Sequence, residues 1–150
     1  MSDTPRISTE RRDHVFLIGL DRPSKMNALD LQMLGELSAA YTEYDDDEAL
    51  RCAVVYSTGD HFTAGLDLAN VGPAMAQGQA TWPDTSVNPW GTNGRRRTKP
   101  VVCAVNGRCL TAGIELMLAS DIRLAARGAK FGQIEILRGI FPFGDRKSVV

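Results

Sequence analysis

The stretch VVCAVNGRCLTAGIELMLASDIRLAA, residues 101–126, determines the fold class. Its first six residues form an apolar run rich in β-branched side chains, which is typical of a strand buried on both faces. Residues 112–120, AGIELMLAS, predict a helix, and residues 121–126, DIRLAA, predict another strand. A strand, a helix and a strand in succession indicate an α/β protein with parallel strands.

The same alternation continues towards the N-terminus. HVFLIGL (14–20) and CAVVYS (52–57) are short apolar runs that predict two more strands. Between them, apolar residues recur at steps of three and four, which predicts a helix from about Asp30 to Tyr44 with Asp30 as its N-cap. Residues 70–98 are rich in Gly, Pro, Gln, Ser and Asn without sustained periodicity, so we expect a long or partly helical loop there.

Composition indicates one globular domain. The chain has 150 residues, 43% of them hydrophobic, and a net charge of -1, so no global electrostatic argument favours nucleic acid or an anionic membrane as a partner. Cys52, Cys103 and Cys109 lack metal-binding spacing, and we expect free thiols in a reducing compartment. Residues 1–13 are polar and charged, and they resemble neither a signal peptide nor a membrane anchor. These features predict a cytoplasmic protein.

Two charged segments call for a structural rather than a functional interpretation. We expect the acidic segment 45–48 to occupy a solvated turn, because acidic side chains are unfavourable at a helix C-terminus. The basic segment 95–99 precedes a strand and contains no aromatic residue, which predicts a solvated basic turn more than a nucleic-acid site. Contact with the anionic tail of a cofactor is the alternative for this basic segment.

Two loops could offer backbone donors to a ligand. In HFTAGLDL (61–68), a strand leads into Gly65, and a glycine permits the backbone angles that turn the Leu66 N–H outward. Residues 111–113 open a helix, whose first-turn N–H groups lack intrahelical partners and can receive an anion. Together the two loops could form an oxyanion hole, although each alone is more often a simple turn.

Two glutamates occupy apolar surroundings. Glu115 lies early in the predicted helix of residues 112–120, and Glu135 lies between isoleucines in a short helix predicted for 133–137. Desolvation raises a carboxyl pKa towards neutrality, which suits acid–base chemistry. Pairing with Arg123 or Arg138 is the equally weighted structural alternative.

Five segments in order resemble the enoyl-CoA hydratase/isomerase, or crotonase, family. They are DRPSKMNAL, HFTAGLDL, VNGRCLTAGIEL, ASDIRLAA and FGQIEILRGIFPFG, and the resemblance runs from about Val15 to Gly144. The resemblance implies an α/β fold, a crotonase-like spiral of ββα units. It also implies that a CoA thioester lies with its carbonyl between two backbone amides. No further cofactor is implied, because coenzyme A is part of the substrate, and neither a metal nor a nucleic acid or membrane partner is implied.

The resemblance also implies a role for each matching residue. The oxyanion hole would consist of the Leu66 and Ala112 N–H groups, and the catalytic acids would be Glu115 and Glu135. The residues along the CoA would be Lys25, Ala28, Ala64, Asp67 and Leu68. Members that carry both glutamates hydrate 2-enoyl-CoA by syn addition, so we expect a hydratase of fatty acid metabolism that assembles as a homotrimer or hexamer. An enoyl-CoA isomerase or another acyl-CoA lyase of the family is the alternative.

The end of the chain departs from the family pattern. Family members continue into a C-terminal helical part, so we expect residues 1–144 to be the N-terminal portion of the domain, truncated before that part. Residues 145–150, DRKSVV, correspond to the opening codons of a common sequencing adapter, and we interpret them as an unrelated read-through tail.

Two alternatives belong to other functional classes. The first is an inactive fragment, in which the motifs are present but nothing is catalysed. The second is an acyl-transfer protease, which needs a serine nucleophile beside a histidine. That chemistry is disfavoured, because His14 and His61 are the only histidines and no serine lies in a matching motif.

Overall fold

A computed structural model of the chain describes residues 4–77 and 83–139. Its strands and helices follow one another in the order β1 (Ile7–Arg12), β2 (Val15–Leu20), α1 (Leu31–Asp46), β3 (Cys52–Ser57), α2 (Leu68–Ala76), β4 (Val101–Val105), β5 (Arg108–Leu110), α3 (Ala112–Ala119), β6 (Ile122–Ala125) and β7 (Lys130–Gly132). Two 3-10 helices cover Pro23–Lys25 and Ile134–Arg138. Each strand and helix predicted from the sequence is therefore confirmed, with its ends shifted by a residue or two.

Five strands form the main sheet, in the order β1-β2-β3-β4-β6. β1 is antiparallel to β2, whereas β2, β3, β4 and β6 run parallel to their neighbours. The parallel arrangement predicted for β3 and β4 is confirmed. Because parallel strands end at the same edge of a sheet, the segments after β3 and β4 emerge on one side of the molecule.

Three strands have no counterpart in the sequence-based prediction. β1 has the polar sequence ISTERR and pairs only along one edge, so it shows no apolar run. β5 and β7 are three residues long and form a separate two-stranded parallel sheet. Such short strands are stabilised by their partners more than by local propensity.

Helix α1 packs its apolar face against the main sheet. Asp30 caps the helix, and its carboxylate accepts a hydrogen bond from the Met33 N–H at 3.0 Å. The Tyr44 ring stacks on Phe16 with the ring centroids 6.4 Å apart, and its hydroxyl donates to the Pro100 carbonyl at 2.6 Å. These contacts fix α1 against β2 and the segment that leads into β4.

The predicted solvated turn at 45–48 is wrong for its first two residues, because α1 continues through Asp46. Asp45 is only 7% exposed and accepts hydrogen bonds from the Thr98 N–H at 2.6 Å and from Arg95 at 2.8 Å. Arg95 also contacts Asp46 at 2.6 Å. Burial alone would raise the pKa of Asp45, but these hydrogen bonds hold it below its usual value. The basic segment thus neutralises the acidic end of α1.

The basic segment 95–99 is correspondingly less solvated than predicted. Arg97 forms an ion pair with Asp121 at 2.6 Å, and the Lys99 ammonium donates to the Asp47 carbonyl at 2.6 Å. These contacts favour a structural role over contact with a cofactor tail.

The cysteines are free, as expected from their spacing. Cys103 and Cys109 are buried, and burial raises the pKa of each thiol to about 12. Neither is therefore a reactive thiolate near neutral pH. Among the described helices, none combines the length and apolar character needed to cross a bilayer.

We expect the isolated 150-residue chain to self-associate through β6. This strand lies at the edge of the main sheet, and its Ile122 and Leu124 side chains are 55% and 58% exposed. Within residues 4–77 and 83–139 no strand pairs with the outer edge of β6, and such an edge with apolar side chains favours pairing between chains. Size-exclusion chromatography with light scattering measures the mass, and replacing Ile122 and Leu124 together with lysine is expected to lower it. A monodisperse monomer of the unmodified chain would contradict the prediction.

Candidate functional site

The loops that follow β3 and β4 lie against each other. The Thr63 N–H donates to the Arg108 carbonyl at 3.1 Å, and the Leu110 N–H donates to the Thr63 carbonyl at 3.1 Å. The Thr63 hydroxyl accepts from the Gly65 N–H at 3.0 Å and donates to the Asn27 carbonyl at 2.6 Å. Thr63 thus holds the loop before Leu66 against β5, which leads directly into α3.

Two glycines make this approach possible. Gly65 has a φ of +89°, and a Cβ atom there would overlap the Thr111 hydroxyl. A Cβ atom on Gly113 would overlap the methyl group of Thr63. Only glycine leaves room for the two loops at these positions, and only glycine adopts the angle at residue 65 without strain.

The backbone N–H groups of Leu66 and Ala112 take no part in the hydrogen bonds of helices and strands. Leu29 donates to the Gly65 carbonyl and accepts from the Asp67 N–H, both at 2.8 Å, so the intervening Leu66 N–H faces the opposite side. Ala112 is the first residue of α3, where an N–H lacks an intrahelical acceptor. Within residues 4–77 and 83–139, no hydrogen-bond acceptor is found for either group.

Leu66 and Ala112 both line a cavity of about 440 Å³. Its walls include all nine residues predicted from the sequence, which are Lys25, Ala28, Ala64, Leu66, Asp67, Leu68, Ala112, Glu115 and Glu135. Met26, Met75, Thr111 and Ile134 complete the lining. The structure therefore brings the predicted residues together on one surface, and their individual roles remain predictions.

Glu115 and Glu135 reach the cavity from different elements. Glu115 lies on α3 and is 2% exposed. Glu135 follows β7, which pairs with β5 and is tied to the start of α3 by a hydrogen bond from the Thr111 N–H to the Gly132 carbonyl at 3.0 Å. The two-stranded sheet missed by the sequence analysis therefore places Glu135 beside α3.

The surroundings of the glutamates bear on their chemistry. The Oε2 atom of Glu135 is buried and has no hydrogen-bond partner in the described part of the chain. Arg123, one alternative partner predicted from the sequence, donates to the Leu118 carbonyl at 3.5 Å. The side chain of Arg138, the other alternative, lies outside the described residues. A buried carboxylate oxygen facing a cavity suits a bound water or substrate.

Two residues that were not predicted from the sequence hold the loops of the site in place. Asn27 is fully buried, and its side-chain amide donates to the Thr58 carbonyl at 2.9 Å and to the His61 carbonyl at 2.8 Å. The Trp90 indole N–H donates to the Ala112 carbonyl at 3.0 Å. A tryptophan is seldom left exposed in a polar loop, and this signal could have indicated that residues around Trp90 fold back onto the core.

The arrangement can perform two kinds of chemistry. Backbone N–H groups of two residues that line one cavity can stabilise negative charge that develops on a carbonyl oxygen. Two carboxyl groups on the same cavity can move protons to and from a bound molecule.

The chain is similar to known proteins. The model of the family described as enoyl-CoA hydratase/isomerase matches residues 10–149. The mevalonyl-coenzyme A hydratase SIDH of Beauveria bassiana is 40% identical, over 85% of this chain and 48% of that protein. The enoyl-CoA hydratase EchA19 of Mycobacterium tuberculosis is 33% identical, over 93% of this chain and 53% of that protein. The chain spans about half the length of the curated relatives it matches.

A solved structure is similar as well. The probable enoyl-CoA hydratase/isomerase of Mycobacterium abscessus is 48% identical and superposes with a TM-score of 0.91. The superposition covers 95% of this chain and 55% of the other. The fold described above is thus that of roughly half of a longer solved protein.

Proposed function

Since the chain belongs to the enoyl-CoA hydratase/isomerase family, we propose that it forms part of a hydratase that adds water to 2-enoyl-CoA thioesters. We call the protein of the relatives' length that carries this chain the parent protein. The observation that carries the proposal is the shared cavity, which both glutamates line together with Leu66 and Ala112. A second carboxyl group favours hydration over isomerisation, because addition of water needs a base and an acid.

The two amides act on the thioester carbonyl. Addition of water to the β-carbon converts the enoyl thioester into an enolate, so negative charge develops on the carbonyl oxygen. In the proposed mechanism the Leu66 and Ala112 N–H groups donate to that oxygen, and the position of both residues on the cavity wall supports this role. Loss of one such donor typically lowers kcat by about 10²–10³-fold.

The two glutamates transfer the protons that the addition of water requires. One carboxylate removes a proton from the water as its oxygen bonds to the β-carbon, and the other carboxyl group delivers a proton to the α-carbon. Water is thereby added across the double bond with syn geometry. The unpartnered Oε2 of Glu135 suits a water ligand, which supports a role for this residue in positioning the nucleophile.

The remaining predicted residues hold the CoA moiety. Lys25, Ala28, Ala64, Asp67 and Leu68 line the cavity on the side of the loop after β2 and the loop after β3. Coenzyme A belongs to the substrate, so the proposal includes no separate cofactor. We further propose a cytoplasmic parent protein that acts in fatty acid metabolism as a homotrimer or hexamer, without nucleic acid or membrane partners.

Loss of the enoyl thioester absorbance of crotonyl-CoA tests the function. We expect the parent protein to hydrate crotonyl-CoA and the 150-residue chain to show little or no turnover. The reason lies in the segment 134–139, which carries Glu135 while Ile136 and Leu137 are more than 80% exposed. Formation of a 3-enoyl product by the parent would support the isomerase alternative, and absence of any reaction would overturn the proposal.

A further inference from the structure

Arg22, in the turn after β2, contacts two residues of the cavity wall and one buried aspartate. Its Nη1 atom lies 2.9 Å from the Ala28 carbonyl and 2.9 Å from Oδ2 of Asp67, and its Nη2 atom lies 3.3 Å from Oδ2 of Asp30. We propose that Arg22 is a positioning residue for the oxyanion hole. The inference rests on the proposed function, because it concerns how the Leu66 amide is held for a thioester carbonyl.

Two acceptors of Arg22 belong to residues next to the bridge between Leu29 and Leu66. Asp67 directly follows Leu66, and its N–H donates to the Leu29 carbonyl at 2.8 Å. Ala28 directly precedes Leu29. The Arg22 guanidinium group therefore bonds to both segments that meet in the bridge between Leu29 and Leu66. This bridge sets the direction of the Leu66 N–H. The rigid fork of an arginine can hold several acceptors at once, which a lysine ammonium does less precisely.

The turn that carries Arg22 is itself fixed. The Arg22 N–H donates to the side-chain oxygen of Asn27 at 2.7 Å, and the Asn27 N–H donates back to the Arg22 carbonyl at 3.0 Å. The Ala64 N–H donates to the Met26 carbonyl at 2.9 Å. The turn of residues 22–27 is thereby bonded to the loop that contains Gly65, so displacement of Arg22 would be transmitted to that loop.

Charge balance gives Arg22 a second effect on the cavity. Asp67 lines the cavity, and CoA carries anionic phosphates, so an unpaired carboxylate at this position would repel the substrate. Asp30 is almost completely buried and pairs with both Arg6 and Arg22. Two arginines and two aspartates thus form one group without net charge, and its member Asp67 lines the cavity. Removal of Arg22 would leave excess negative charge there.

A matched control variant distinguishes a positioning role of Arg22 from a purely structural one. Arg97 has the same side-chain exposure as Arg22, 17%, and it also contacts three acceptors, although these are one carboxylate and two carbonyl groups where Arg22 contacts two carboxylates and one carbonyl group. Its partners are Asp121, Lys99 and Ala119, which do not line the 440 Å³ cavity. Arg22→Gln and Arg97→Gln should therefore lower thermal stability to a similar extent, but only the first should alter the oxyanion hole.

The experiment compares the unmodified parent protein with its variants Arg22→Gln, Arg22→Lys and Arg97→Gln. It measures Tm, kcat and KM for crotonyl-CoA, and the absorption shift of bound cinnamoyl-CoA. A conjugated thioester absorbs at longer wavelength when its carbonyl is hydrogen-bonded. We expect Arg22→Gln to lower kcat roughly 10–100-fold and to reduce the absorption shift, because small displacements of a positioned group have effects of this order. Arg22→Lys should recover part of kcat and part of the absorption shift. Arg97→Gln should leave kcat and the absorption shift unchanged.

The outcomes are distinct. Unchanged kcat and absorption shift in Arg22→Gln overturn the Arg22 proposal while leaving the proposed function intact, and so does an equal loss in Arg97→Gln. If Arg22→Gln does not fold, Arg22→Lys decides: a reduced kcat and absorption shift support the proposal, and values equal to those of the unmodified protein overturn it. An unmodified parent that neither hydrates crotonyl-CoA nor shifts cinnamoyl-CoA overturns the proposed function and the Arg22 role together.

Discussion

Replacement of Glu115 or Glu135 with glutamine in the parent protein is expected to lower the turnover of crotonyl-CoA by ~10²–10⁴-fold. Glutamine preserves the shape of the side chain but neither accepts nor releases the proton that each step requires. Both residues line the 440 Å³ cavity, so the substitution acts where the substrate is proposed to bind. Initial rates at saturating crotonyl-CoA, followed by thioester absorbance, measure the effect.

Glu43→Gln provides the control for this pair. Glu43 lies on α1 with an exposed side chain, away from the cavity, and its substitution is expected to leave turnover unchanged. Full turnover in either cavity variant would contradict the role proposed for that glutamate. Tolerance of Glu115→Gln alone would favour the isomerase alternative, in which a single carboxyl group moves the proton.

Gly65→Ala is expected to lower kcat of the parent protein by roughly 10²–10³-fold, the effect of losing one oxyanion donor. An alanine Cβ would overlap the Thr111 hydroxyl, and the φ of +89° is strained for any residue with a Cβ. Relief of either conflict moves the Leu66 amide that follows. Steady-state kinetics and thermal unfolding of the variant together test this expectation.

The control for Gly65→Ala is Gly35→Ala. Gly35 lies inside α1, where an added Cβ has no atom within 4 Å. Alanine there is expected to stabilise the protein by about 0.5–1 kcal/mol, because it restricts the unfolded chain and favours helix. A Gly65→Ala variant with the kcat of the unmodified protein would show that the loop can adjust without moving the amide.

Local sequence patterns determined most of the main sheet. Strands β2, β3, β4 and β6 and helices α1 and α3 lie where apolar runs and helical periodicity predicted them. The α/β class and the crotonase-like fold implied by the family resemblance are confirmed, since the structure matches a solved family member over about half of its length. Such patterns are readable because a buried strand or helix face imposes its own spacing on apolar residues.

The candidate site was also largely accessible from sequence. Gly65 and Gly113 mark the positions where two loops approach closely, and Glu115 and Glu135 are conspicuous as acids in apolar segments. Residue-by-residue resemblance supplied the other members of the cavity wall, and all of them line it.

Only the tertiary structure decided which strands pair and which charged side chains form ion pairs. Strands β5 and β7 are too short to show a pattern, yet their pairing places Glu135 beside α3. Asp45 remains in the last turn of α1 because Arg95, fifty residues later, neutralises it. Arg22 reaches Asp67 across 45 positions. A charge or a short strand carries no local signature of its partner, because the free energy that fixes it comes from contacts formed only when distant segments meet.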